Sequence, residues 1–315
     1  GNDRQAEKVL DLIDKWERQQ VMIGFAGHFS AGKSTMINTL LEEEILPSSP
    51  IPTSANVVKL QSGDDYTRVF YRDDRPAQYE GKPDMETIQS LCKDGDEIVS
   101  LEISQKDAKL SSHVTMIDTP GVDSTNDADR VITESSLHLM DYMYYVMDYN
   151  HVQSEVNLTF LQEMQKKGLP FSIIVNQVDK HQESELSFPE FQTSVSEALE
   201  NWQLTPDKIF YTTLMSPDLA INELSMLESH VTTVTEISAE EREASITRSA
   251  SLILEESVDE VASDFEDKKV ELLEKMEGLQ STTPDEKREQ VQSEIQRLEN
   301  REEEAEALYE ERVLS

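Results

Sequence analysis

The stretch "VMIGFAGHFSAGKSTMINTLLEEEIL", residues 21–46, decides how the rest of the chain is read. An apolar run, Val21–Ala26, leads into a glycine-rich turn, and the turn leads into a helical pattern. Gly27, four residues, Gly32, Lys33 and Ser34 match the P-loop pattern, in which strand, turn and helix together build a cradle for phosphate. Glycines let backbone N–H groups crowd the β-phosphate while the following helix points its positive end at it. Lys33 is expected to reach the β- and γ-oxygens, and Ser34 to ligate Mg2+. The loop residues Gly27, His28, Phe29, Ser30, Ala31, Gly32, Lys33, Ser34 and Thr35 are therefore the first candidate nucleotide contacts.

Three further stretches fit the same chemistry. "HVTMIDTPG", residues 113–121, reads as a strand that delivers Asp118 at its carboxyl end, where it would hold Mg2+ as a Walker-B acid does; the Gly121 N–H follows to bond the γ-phosphate. "DTPG" alone is also an ordinary turn, and it gains meaning from the P-loop before it. Between them, "SSPIPTSAN", residues 48–56, offers the hydroxyls of Ser49, Thr53 and Ser54 to close over Mg2+ on a loop stiffened by Pro50 and Pro52. "FSIIVNQVDK", residues 171–180, is a variant of the N-K-x-D guanine reader. Asp179 can accept from the guanine ring N–H and amino group, which adenine cannot match, so GTP and GDP are favoured over ATP. Asn176 opens that reader and Lys180 follows it, while Gln177 stands where lysine is usual, keeping an apolar stem for the base. Farther on, Thr213 and Leu214 of "IFYTTLMSP" border the base or form a plain strand-to-helix turn.

Composition narrows the partners. The 315 residues hold 64 acidic against 28 basic side chains, a formal net charge of -36, which repels nucleic acid and anionic lipid alike. No clustered Lys or Arg run supplies a countering patch. One cysteine, Cys92, cannot pair within the chain, and no signal peptide or membrane-length apolar stretch is seen, so a cytoplasmic setting is expected.

The organisation reads as three parts: an N-terminal helix over 1–20, a nucleotide-binding domain over 21–235 and C-terminal helices over 236–315. The middle part alternates β-branched runs with helices starting at Gly32, Ala128, Gln153, Pro189 and Pro217, the pattern of an α/β fold with a mostly parallel sheet. Ala6, Val9, Leu10, Ile13 and Trp16 form one apolar stripe in the first helix. Leu254, Val258, Val261, Phe265 and Leu272 form a second, and Val291, Ile295 and Leu298 a third, in a helix capped at Thr283. Three such stripes would bury one another in a helical bundle, with a solitary coiled coil as the alternative.

On "GHFSAGKSTMINTLL", "LPSSPIPTSA", "MIDTPGVDS", "VNQVDKHQESELSF" and the flanking helices, the chain resembles the dynamin superfamily, and within it the bacterial dynamin-like proteins of the DynA type, over most of residues 5–280. The resemblance implies a dynamin-type P-loop GTPase domain with an adjoining antiparallel neck bundle. It gives Ser30, Lys33, Ser34, Thr53, Asp118, Gly121, Asn176 and Asp179 nucleotide and Mg2+ roles, with Ser30, Lys33, Thr53 and Gly121 as catalytic groups and Ser34, Thr53 and Asp118 around the metal. It favours Thr53 over its neighbouring serines, and it brings a monovalent cation, K+ or Na+, near Ser30, though some relatives do without one. It further implies a homodimer through the nucleotide-binding face and a neck that moves to fuse, tether or reshape membranes.

Two departures stand out. Phe29 replaces the glutamine of many relatives, and Val122 follows "DTPG" where Ras-type proteins carry the water-orienting glutamine, so catalysis must borrow groups from elsewhere. The chain also lacks a stalk and lipid-binding tip, so it reads as a head-and-neck piece whose membrane contact lies in absent regions, at the inner face of the cell membrane. The competing readings are a nucleotide-gated switch with a slow GTPase timer and an oligomerisation scaffold with a vestigial P-loop.

Overall fold

A computed structural model describes residues 2–47, 56–72, 75–93, 97–123, 137–278 and 285–313. Thr53, the helix expected at Ala128 and the cap at Thr283 lie outside the described residues. The chain divides into two compact units, Lys15–Ser245 and a second made of Gly1–Asp14 with Ile246–Ser315.

The first unit is built on a nine-stranded sheet: β1 (Val21–Gly27), β2 (Val57–Ser62), β3 (Tyr66–Tyr71), β4 (Ala77–Glu80), β5 (Ile98–Gln105), β6 (Val114–Asp118), β7 (Tyr142–Asp148), β8 (Phe171–Asn176) and β9 (Ile209–Tyr211), in the order β4-β3-β5-β2-β6-β1-β7-β8-β9. The run β6-β1-β7-β8-β9 is parallel throughout, while β2 joins β6 in the antiparallel sense and β3 pairs antiparallel with both β4 and β5. Every residue of β1, β6, β7 and β8 is buried, as parallel strands covered on both faces must be. The carboxyl ends of β1, β6, β7 and β8 carry Gly27, Asp118, Asp148 and Asn176, and open α/β sheets bind ligands at that edge.

Helices α2 (Lys33–Leu41), α3 (Met85–Lys93), α4 (Glu155–Lys166), α5 (Phe188–Asn201) and α6 (Leu224–Thr235) belong to this unit. Met36, Ile37 and Leu41 of α2 join Ile23, Phe25, Tyr144 and Val146 in the main core. Helix α5 starts with a capping box, Ser187 with Glu190. Helix α6 begins at Leu224 rather than Pro217. Asn222 donates to the carbonyls of Thr213 (3.0 Å) and Pro217 (3.3 Å), and Glu223 N–H bonds Tyr211 O at 2.8 Å, so the intervening residues are fastened as a turn on the end of β9.

Helix α1 (Asn2–Glu17), α7 (Ala239–Gly278) and α8 (Asp285–Val313) supply the second unit, with the ends of α1 and α7 belonging to the first. Helices α7 and α8 form an antiparallel hairpin: Leu272 packs with Ile295 and Leu298, Lys269 pairs with Glu299 at 3.1 Å, and Arg301 lies over the Phe265 ring. The α1 stripe departs from expectation. Val9, Leu10, Ile13 and Trp16 are 44–64% exposed, and the buried face of α1 carries Leu12 and Lys15 instead. Polar contacts choose that face, because Gln5 bonds Glu260 and Lys8 pairs with Glu256. Apolar spacing identifies a stripe but not the side on which a partner helix places its charges.

A buried ion pair anchors the start of β7. Lys15 Nζ donates to Asp141 Oδ1 and to Leu139 O, both at 2.7 Å; Met22 N–H donates to Asp141 Oδ2 at 2.7 Å, and Ser245 Oγ also reaches this carboxylate. Lys15 is 1% exposed, so removing its charge would strand a buried carboxylate. Lys15→Ala is expected to cost about 3–5 kcal/mol in chemical denaturation, and an unchanged midpoint would contradict this reading of the pair.

Candidate nucleotide-binding site

The P-loop is shaped by backbone crowding. At Gly27, φ is +147°, and a Cβ would stand 1.9 Å from the Val146 carbonyl of β7, so no other residue fits. Gly32, at φ +90°, is the N-cap of α2, and a Cβ there would meet the Asn176 side chain at 2.7 Å. The loop therefore curls between the carboxyl end of β1 and the start of α2, a strand-turn-helix geometry that favours an anion.

Lys33 is buried, and its Nζ donates to Gly27 O and His28 O, each at 3.0 Å. Burial pulls its ammonium below the usual lysine range against the attraction of Asp118 and Asp123. Asp118, at the end of β6, is equally buried, and burial pushes its carboxyl up against the opposing pull of Lys33 and Ser34. Ser34 Oγ donates to Asp118 Oδ2 at 2.7 Å, while Asp118 Oδ1 has no hydrogen-bond partner among the described residues. A buried carboxylate oxygen left over beside a hydroxyl fits a hard cation, which demands oxygen donors.

The Gly121 loop closes on the P-loop. Val122 N–H bonds Gly27 O at 3.0 Å, and a Cβ on Gly121 would lie 2.9 Å from Phe29 N, so this backbone approach needs glycine. Asp123, which the sequence reading did not single out, accepts from Phe29 N–H with both oxygens at 3.0 and 3.1 Å. Its only sequence signal was its place two residues after Gly121. Val122 is fully buried and points no polar group toward this edge.

The segment after β8, expected to read the base, leans on the same loop. Asn176 Nδ2 donates to Ala31 O at 3.0 Å, its Oδ1 accepts from Thr212 Oγ1 at 3.2 Å, and Gln177 Nε2 donates to Ser30 O at 3.0 Å. Lys180 Nζ in turn bonds Gln177 Oε1. Asp179 is exposed, and its Oδ1 accepts from the buried Thr213 hydroxyl at 2.5 Å, which fixes the carboxylate beside the end of β9. Leu214 packs on the main core, and Thr35 accepts from Thr39 Oγ1 within α2. The structure thus gathers Ser30, Lys33, Ser34, Asp118, Gly121, Asn176, Gln177, Asp179 and Thr213 along one edge.

His28 is 7% exposed. Its Nδ1 donates to Phe29 O at 2.6 Å, because a carbonyl can only accept, and its Nε2 accepts from Asp148 N–H at 3.0 Å. Sequence could not show this contact, since it joins positions 120 residues apart.

A family model described as the dynamin family matches residues 23–179. "Dynamin-like protein A" of Bacillus subtilis is 36% identical over 263 residues, which is 84% of this chain and 22% of that protein. "Dynamin-like protein 1" of Campylobacter jejuni is 22% identical over 193 residues, 49% of this chain and 26% of that one. The chain thus spans about a quarter or less of the length of these relatives. Among solved structures, one of an oligomerised bacterial dynamin pair described as sensing and tethering membranes aligns with a TM-score of 0.57 at 16% identity, over 99% of this chain and 50% of that chain. That likeness concerns the fold.

Asn176 is the joint between the two halves of the site. Asn176→Ala would leave Ala31 O and Thr212 without their side-chain partner and is expected to destabilise the protein by about 1–3 kcal/mol. A denaturation midpoint equal to that of the unmodified chain would show that the P-loop does not lean on this amide.

Proposed function

Because the chain belongs to the dynamin family of GTPases, we propose that residues 21–235 hydrolyse GTP as a head that dimerises across its nucleotide face, and that 1–20 and 236–315 act as a neck moved by that cycle. The observation that carries the reading is the Asp118 oxygen beside Ser34 that has no hydrogen-bond partner among the described residues, at the mouth of a P-loop whose Gly27 admits no side chain. Ser34, Asp118 and Thr53 would hold Mg2+. The ion supplies charge neutralisation on the phosphate oxygens.

Each residue then has a defined task. Lys33 exchanges the Gly27 and His28 carbonyls for β- and γ-phosphate oxygens, which also compensate its burial. The Gly121 N–H faces the γ-phosphate, and the Asp123 carboxylate must leave Phe29 N–H when that anion arrives. Asp179, held by Thr213, accepts from the guanine ring N–H and amino group, while the Gln177 stem lies along the base. A monovalent cation near Ser30 fits the same scheme.

Val122, fully buried, cannot orient the attacking water, which is why we assign efficient turnover to a pair of heads. The same observation suits a nucleotide-gated switch with a slow timer. In either case the net charge of -36 leaves membrane contact to other segments, and tethering, fusion or remodelling of a membrane is the work we assign to the full-length protein.

Turnover per molecule, measured with GTP in excess, is expected to rise with protein concentration; a flat dependence would remove the paired-head mechanism and favour the timer. Asp179→Asn is expected to shift preference from guanine toward xanthine nucleotides, because an amide donates where the carboxylate accepted. Unaltered base selectivity in competition binding would assign the ring to another residue.

A further inference from the structure

His28, Asp148 and His151 come from the P-loop, the end of β7 and the turn before α4, and their donor atoms all lie within 4.8 Å of one another. We propose that His28 Nε2, one Asp148 carboxylate oxygen and His151 form a site for a borderline divalent transition-metal ion, Zn2+ in the first instance, separate from the Mg2+ position at Ser34 and Asp118.

The His28 ring is already set for this role. Its Nδ1–H is committed to the Phe29 carbonyl at 2.6 Å, so Nε2 carries the acceptor lone pair, engaged here by the Asp148 N–H at 3.0 Å. Donation of the remote ring N–H to a carbonyl is the arrangement that orients metal-binding histidines. Asp148 Oδ2 stands 3.6 Å from that Nε2, and both Asp148 oxygens lie 2.8–2.9 Å from His151 Nδ1. Bonds of about 2.0–2.1 Å in tetrahedral geometry place ligand atoms about 3.3 Å apart, inside the range spanned here.

The Asp148 carboxylate is held in place by Asn150 N–H at 2.7 Å. Burial is the largest single influence and would raise its pKa, but the bonds to His151 and Asn150 together with the charge contributions of His28 and His151 keep it below the usual carboxylate range.

A metal would occupy the place of the His151 proton and draw Nε2 off the Asp148 amide, its present 3.0 Å partner. Two imidazoles and one carboxylate select Zn2+ over Mg2+, which prefers oxygen. His151 has a side chain 61% exposed, which gives the ring freedom to turn and the ion a way in. A cavity of about 320 Å³, lined by all three residues with Ser154 and Asn157, leaves room for water as the fourth ligand. A bound ion would fasten the P-loop to the β7–α4 turn and so couple metal occupancy to nucleotide turnover.

The binding measurement does not depend on the nucleotide reading. Calorimetric titration of the full chain with ZnCl2 in magnesium buffer, repeated with Co2+ followed by visible absorption, is expected to give one ion per chain. His151→Ala, at an exposed position, should weaken binding at least about tenfold, whereas His113→Ala should leave it unchanged. Zn2+ should slow GTP turnover of the unmodified chain and not of His151→Ala. Equal affinity in His151→Ala, an equal loss in both variants, or no heat and no Co2+ spectrum would each overturn the site.

Discussion

The contact on which this structure depends is the approach of Gly27 to the Val146 carbonyl, where a single methyl group has no room. It lets β1 run against β7 to its last residue and then turn directly into the loop that starts α2. Once that turn is fixed, Lys33 is folded beneath the loop, Ser34 is delivered to Asp118, and Asn176 and Gln177 can reach the carbonyls of Ala31 and Ser30. The P-loop and the Asn176–Gln177 segment are therefore one hydrogen-bonded assembly rather than two neighbouring motifs.

Electrostatics give that assembly its purpose. Lys33 and Asp118 are both buried, and burial presses each toward its neutral form while their mutual attraction resists. Opposed buried charges of this kind cluster at functional sites. Phosphate beside Lys33 and a hard cation beside Asp118 would relieve both groups at once. Asp123, on the Phe29 amide, is an internal carboxylate standing on one of the loop donors, and an incoming anion would have to displace it.

The parts legible in sequence were those governed by short-range rules. The buried run of β1, the two loop glycines and the Asp118 strand follow from spacing alone, and the antiparallel hairpin of α7 and α8 from apolar repeats. Strand β4 gave no signal because it is a short, largely exposed edge whose partner defines it. The exposed stripe of α1 was misleading for a related reason, since Lys8 and Lys15 decide which face turns inward. Asp123 on Phe29, and Asp148 with His151 around His28, depend on parallel strand order, which brings distant segments to the same edge. No local pattern encodes such meetings.

The central claim is that this edge holds a guanosine polyphosphate, with Asp179 as the group that distinguishes it from adenosine. Calorimetry in magnesium buffer tests this most directly. The account predicts saturable heat with GTP and GDP and none with ATP at the same concentration; silence with GTP, or equal heat with ATP, would contradict it.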